Sequence, residues 1–507
     1  MTAITVPRVP DSPTPSAPAA RQASRPKRGV SDTTVAVALF IVATAAMLTG
    51  LGGRAANVAY TVAAALTAAV LLARSPAMYS SFALWMWFLS PFVRRVLDYR
   101  HGWNSTNPAL LAPPLVAALS IITLARHARE LRGRLFAPYL LILGALAYGY
   151  SVGMISVGLI PSTYALLTWL APLVFGLHLA LSWRHYLELS AAIRKTFSVA
   201  LPILAAYGIY QFVRLPVWDA QWMINADLKS LGTALPFLVR VFGTLNTPGP
   251  YAAFLLAGML MVLTGKGFIR FPGIAVAAVA LLLTRTRAVW VAFLIGLVMQ
   301  QLSQPVIRLP RRIVTLVIVS ILAVPLTQIP AFRDTIGSRL STLKSISADN
   351  SFIKRVQFSQ ANATEIVETA LGNGLGTTGG AIKLNRAQVG IRSLDNGFLE
   401  LFYLFGWLGG AMFLLGVAAL LYQSFRFAEA RRDPFSSAVR ATAIALVSIL
   451  PIGDVFTGST GTLLWTMMGL GIAAHAYHLT TGLALRSRAA RAHFAAQARA
   501  LVDFGAR

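Results

Sequence analysis

The chain has 507 residues, 56% of them hydrophobic and only 12% charged, about half the charged fraction of a soluble domain; this excludes an ordinary soluble protein and implies an all-α, polytopic membrane protein. It contains no cysteine, which excludes disulfides, thiolate metal sites and thiol nucleophiles. Its formal net charge of +27 comes without an RNA- or DNA-binding motif, so it reads as a topology signal and as attraction for anionic lipid or substrate rather than nucleic acid.

Residues 1–32 are rich in Pro, Ser, Ala and Arg without a hydrophobic period and read as a disordered cytoplasmic tail. The apolar run that follows is long, and no small-residue cleavage site comes after it, so it does not read as a signal peptide. Apolar runs of about 20 residues, the length a bilayer requires, then recur. Spans are expected near 33–53, 55–73, 77–93, 109–125, 135–159, 163–183 and 196–213. Further ones fall near 250–264, 271–284, 288–301, 313–328, 397–422, 441–452 and 462–483, about fourteen in all. Residues 33–328 then hold the first eleven, 396–483 the last three, and 484–507 form a basic cytoplasmic tail.

With the N-terminus inside, the inside loops include "ARHARELRGR", "RHYLELSAAIRK", "GKGFIR", "RLPRR" and "SFRFAEARR". By this placement the inside as a whole holds roughly 27 of the 44 Lys and Arg, as the positive-inside bias requires. An even span count puts both termini in the cytoplasm. One misfit is "RRVLDYRH" after the third span, which is basic yet falls outside. Two outside segments, 214–250 and 329–395, are too long to be mere connectors. The second joins an amphipathic stretch ("SFIKRVQFSQANATEIVETAL") to a Gly-rich one ("GNGLGTTGG") and reads as a folded lid on the outer face. No internal repeat is evident, so an inverted-repeat transporter architecture is not supported.

Four stretches can carry chemistry. In "RVFGTLNTPGPYAAFLL" a polar segment leads into an apolar helix. Pro248, Gly249 and Pro250 are expected to hold off regular helix until Tyr251. The helix N-terminus beyond them, with Arg240, then suits an anion such as phosphate; an interfacial turn with a snorkelling Arg is the plainer reading. In "LLLTRTRAVWVAFLIGL", Arg285 and Arg287 interrupt an apolar run and mark a tight outside turn. Positive charge there runs against the topology bias, which suggests that something at that level attracts cations. In "SADNSFIKRVQF", Lys354 and Arg355 follow Asp349 and Asn350 at helical spacing, which a solvated, N-capped helix also explains. In "IRSLDNGFLELFYLF", Arg392, Asp395, Asn396 and Glu400 cluster at a helix entrance. Asp395 or Asn396 can simply cap that helix. Glu400, one turn inside, needs a partner, and the outside arginines are the expected one. There is no P-loop, GxSxG or HExxH. His475 and His478 lie three apart, but two ligands make a poor metal site.

Taken in order, these stretches resemble the O-antigen ligase and Wzy-type polysaccharide polymerase superfamily over roughly residues 240–410. Arg240, Gly243, Thr244 and Pro248 resemble the R-x-x-G-T-x-x-x-P signature. "TRTRAVW", "DNSFIKR" with "ALGNGLGTTG", and "DNGFLELFYLFGWLGG" are similar to the family's arginine turn, long loop and polar pair. Two departures stand out. Pro248-Gly249-Pro250 replaces the frequent Pro-Asn, which weakens a role for Asn there, though Asn246 is close by. Asp395 stands where ligases typically place His, which favours a polymerase.

The resemblance implies glycosyl transfer at the periplasmic face of a bacterial inner membrane. The donor would be a glycan on undecaprenyl diphosphate, and no nucleotide sugar, metal or other cofactor would be needed. The acceptor would be a second lipid-linked repeat unit (polymerase) or a lipid A core (ligase). A chain-length regulator is an expected partner alongside membrane lipids. The chemistry fits: a departing diphosphate needs fixed positive charge, and a sugar hydroxyl benefits from a carboxylate base. Asp395 is the expected base, with Arg240 and Arg287 on the diphosphate. Arg285, Asn246, Arg355, Arg392, Asn396 and Glu400 would contact substrate. A carrier of anionic lipid-linked sugar would use the same arginines without chemistry.

Overall fold

The computed structural model describes residues 32–265, 270–303, 369–384, 394, 396–427 and 433–505, with side chains up to residue 482 and not that of Lys229. Among the described residues the protein is an all-helical bundle. It opens with α1 (Asp32–Leu48), α2 (Ala56–Arg74) and α3 (Pro76–His101). The short α4 (Ala112–Ala118), α5 (Ile121–Arg126) and α6 (Ala128–Leu131) follow, then α7 (Ala137–Ser156), α8 (Leu159–Leu181), α9 (Tyr186–Arg214) and α10 (Val217–Ala226). The second half holds α11 (Pro248–Leu263), α12 (Arg270–Leu283), α13 (Arg287–Leu302), α14 (Gly397–Arg426), α15 (Pro434–Val447) and α16 (Gly458–Gly505). Seven helical segments here are long and apolar enough to cross a membrane, and four apolar helices are shorter. The expected span at 313–328 lies outside the described residues, as does most of the long loop.

Neighbouring helices pack side by side: α16 runs parallel to α8 and α12 parallel to α9, whereas α14 runs antiparallel to α7 and α13 antiparallel to α15. Several sequence expectations are revised. The stretch "RHYLELSAAIRK", expected as a loop, mostly forms the first turns of α9. Its Tyr186, Leu189 and Ile193 fall on one buried face, so amphipathic spacing carries the helix past its apolar run. The helix α11 starts at Pro248 rather than after Pro250. Proline is tolerated in a first turn, where its missing N–H would have no partner anyway. "RRVLDYRH" belongs to α3, with Arg94, Arg95 and Asp98 buried. Arg94 pairs with Asp98 at 2.5 Å and lies over the Trp103 ring. These charges are internal, and so they carry no topology signal.

Arg95 and Asp219 form an ion pair at 2.7 Å with both side chains fully buried. Asp219 also accepts from Gln211 Nε2 at 2.6 Å and from the Tyr207 hydroxyl at 2.8 Å. Arg95 donates to the carbonyls of Gly243 at 2.6 Å and Leu245 at 2.5 Å and to Asn246 Oδ1 at 3.2 Å. Gln211 Oε1 accepts the N–H groups of Phe242 and Gly243. The irregular segment before α11 thus has its polar backbone groups satisfied by side chains of α3 and α9, the condition for non-helical chain inside a membrane protein.

A second irregular element sits on the other side. Gly406 has φ 61° and ψ −168° and breaks α14, a conformation open to glycine alone. The break frees the carbonyls of Tyr403 and Leu404, which accept from Asn373 N and Gly374 N at 2.8 and 2.9 Å. Leu375 N donates to the Gly149 carbonyl of α7, and Leu375 is fully buried. A Cβ on Gly153 would overlap the Leu375 carbonyl, and one on Gly374 would overlap Gly153. So the Gly-rich stretch within 369–384 is a wedge between α7, α8 and α14; over these residues it is not a lid.

Two outcomes are expected. Asp219→Ala leaves Arg95 buried without its counterion and costs about 3–5 kcal/mol, read as a lowered thermal midpoint in detergent. Asp32→Ala, which removes an exposed partner of Arg74, changes stability by under about 1 kcal/mol. Similar midpoints for the two variants would contradict the buried clamp. Because the chain has no cysteine, Leu375→Cys is a clean reporter of the wedge. It should resist a soluble maleimide in the native background and react readily once Gly153→Ala displaces the loop. Equal labelling in both backgrounds would place the loop elsewhere.

Candidate active site

The two arginine stretches meet. Arg240 lies half-buried in the segment between α10 and α11. Its Nε donates to the Thr284 carbonyl at 3.2 Å, its Nη1 to the Ser230 carbonyl at 3.0 Å and its Nη2 to Thr286 Oγ1 at 3.4 Å. Val241 N donates to the Leu283 carbonyl at 3.3 Å. The α12–α13 connection is the tight turn its two arginines suggested. Arg285 sits in it with φ 54°, and Arg287 is the first residue of α13; both are half-buried. Arg240 is thus a brace as well as a charge, spanning its own segment and the hairpin that carries Arg285 and Arg287. Asn246 Oδ1 is taken by Arg95, which leaves the Asn246 amide N–H₂ as the group able to reach a substrate oxygen. The helix N-terminus itself is a weaker anion cradle than expected. Pro248 and Pro250 carry no N–H, and Tyr251 N bonds to the Thr247 carbonyl; the cationic character rests on arginine.

The acidic side is built from three elements. Asn396 caps α14: its Oδ1 accepts from Phe398 N at 3.0 Å and Leu399 N at 3.3 Å. Glu400 accepts from the Thr378 hydroxyl at 3.1 Å and makes no ion pair with a described arginine, contrary to expectation. Its electrostatic neighbour is Asp454, between α15 and α16. Gly397 packs against the Gly453 carbonyl and brings the two chains together. Asp454 Oδ1 accepts from Phe456 N at 2.8 Å, and Oδ2 accepts from the Thr457 hydroxyl. Burial pushes the Asp454 carboxyl above its usual range, against the pull of the Thr457 hydroxyl and three backbone N–H groups. Both carboxylates keep some solvent exposure. Asp395, Arg355 and Arg392 lie outside the described residues.

The two sides occupy one end of the bundle. Ser437, early in α15, bonds to the Gln300 carbonyl late in α13, so these antiparallel helices put Arg287 and the Asp454 turn at the same end. Sequence reasoning missed Arg95, Asp219, Thr378 and Asp454. The misfit basic run was the signal for Arg95. "GDVFTG" carried only one acid in a short turn, a pattern that helix capping explains equally well.

Residues 272–414 match the Wzy_C family, described as O-antigen ligase. The match takes in the arginine hairpin, the wedge and the entrance of α14 with Asn396 and Glu400. It begins after Arg240 and Asn246 and ends before Asp454. A search of curated proteins returned no match. With its apolar helices, the chain thus carries a Wzy_C domain, consistent with the O-antigen ligase and Wzy superfamily and with glycan transfer of the ligase or polymerase type.

Proposed function

We propose that the protein polymerises lipid-linked oligosaccharide repeat units at the periplasmic face of the inner membrane, with undecaprenyl diphosphate as the departing group. The observation that carries the reading is the reach of Arg240 to Thr284 and Thr286. It gathers three arginines at the bundle end where Glu400 and Asp454 lie. Arg287 and Arg285 take the diphosphate oxygens, and Arg240 adds charge while holding the hairpin. The acceptor hydroxyl attacks the anomeric carbon from the face opposite the diphosphate. A C–O bond forms, the bond to the diphosphate oxygen breaks, and Asp395 takes the hydroxyl proton, so configuration inverts. Asn246 and Asn396 orient sugar hydroxyls, Arg355 and Arg392 extend the cationic surface, and Glu400 with Thr378 lines the acceptor side. Arginine suits this task because its fork meets phosphate oxygens two at a time and stays charged.

The ligase reading rests on the description of the matching family. Asp395, where the ligase resemblance calls for His, favours the polymerase. Purified protein given only a lipid-diphosphate oligosaccharide should lengthen it, with or without a chelator. Product only on an added lipid A core would establish the ligase, and unchanged donor under both conditions would leave a carrier.

Arg287→Ala should lower turnover about 10²–10³-fold, as expected for loss of a group that stabilises departing charge. Arg240→Ala should lose activity to a similar extent and also lose stability, because it opens the contact with the hairpin. Asp395→Asn should fall about 10²–10⁴-fold. Near-normal rates in Arg287→Ala would remove the diphosphate clamp from the account, and in Asp395→Asn would reduce that residue to a structural role.

A further inference from the structure

At the opposite end of the bundle lies a cavity of about 150 Å³, roughly ten times what one water requires. It is lined by Thr123 and Arg126 of α5, His127, His178 of α8, and Arg184 and His185. This is the end that holds the Arg74–Asp32 pair and the start of α3, while the N-terminus of α8 contacts the wedge loop at the other end.

His178 is 1% exposed and its Nε2 has no hydrogen-bond partner. Its Nδ1 lies 2.8 Å from Thr123 Oγ1, and its ring is held edge-on to Tyr79 and stacked with Phe175. When the Thr123 hydroxyl donates to Nδ1, Nε2 carries the proton and becomes a buried donor in the cavity wall. A buried polar group without a partner is costly, so its persistence calls for a ligand that accepts. His127 is held by the Thr123 carbonyl. The nearby acids are Glu130, taken by Arg184 at 3.0 Å and by the Trp183 indole N–H, and Glu188, 3.7 Å from His185. Arg126 makes no ion pair among the described residues. The wall therefore presents donors and an excess of positive charge.

We infer that this cavity binds a phosphate group, supplied by the headgroup of an anionic membrane lipid or by free phosphate. The setting favours lipid. The cavity sits where apolar helices end, at headgroup level, and the exposed Ile121 and Ile122 of α5 offer a path for acyl chains beside Arg126. The site is separate from the glycan-transfer end, and its existence does not depend on the proposed function.

The test uses the full chain, purified in detergent and stripped of lipid, titrated separately with phosphatidylglycerol and with inorganic phosphate while the thermal midpoint is read. Arg126→Gln with His127→Gln is the site variant, His185→Gln a milder second one, and Arg100→Gln, exposed at the other end, the control. The expected result is a saturable rise in wild type and control, with half-saturation shifted about tenfold or more in the double variant and less in His185→Gln. A rise with phosphatidylglycerol alone identifies a lipid headgroup; a rise with inorganic phosphate identifies the soluble anion. No rise with either ligand, or equal responses in control and site variants, would overturn the inference.

Discussion

The buried pair of Arg95 and Asp219 is the constraint on which the arginine side rests. A guanidinium with no solvent contact must place its donors on fixed acceptors, and Arg95 places them on Asp219 and on the turn from Gly243 to Asn246. That turn is continuous with Arg240, which in turn holds the Arg285–Arg287 hairpin. Three helices and two loops thereby share one polar framework, and the charges at its edge are held by the interior rather than by loop conformation. Preorganised cations of this kind suit departing phosphate oxygens, because little reorganisation remains at the moment of bond breaking.

The acidic side is organised by a different device. A left-handed glycine breaks α14, the freed carbonyls capture the Gly-rich wedge, and the wedge delivers Thr378 to Glu400. Gly153 on α7 permits the close approach. Irregular backbone in a membrane protein is sustained only where such partners exist, and here the partners come from sequence positions more than 200 residues apart (Tyr148 and Leu371 among them).

Much of the helical order was legible in the sequence because apolar length and charge punctuation report on the bilayer directly. The arginine hairpin was legible for the same reason: two cations in an apolar run have few other places to sit. Other features were hidden because they depend on tertiary partners. "RRVLDYRH" looked like a loop in the wrong compartment, since nothing local announces Asp219 more than a hundred residues away. Pro248 and Pro250 read as helix blockers because the exact start of a helix decides whether a proline is disruptive or harmless. Glu400 was matched to arginine on charge alone, whereas Thr378 and Asp454 surround it. The cavity at the opposite end of the bundle was invisible, because its histidines and arginines converge only after α5, α8 and their neighbours have packed.

The most direct test of the central account is a product balance. Purified protein is supplied with a polyprenyl-diphosphate oligosaccharide, and released polyprenyl diphosphate is counted against new glycosidic bonds. Glycosyl transfer by the arginine-lined end predicts one diphosphate released for each bond formed. Diphosphate release without new bonds, or movement of intact donor with neither, would contradict it.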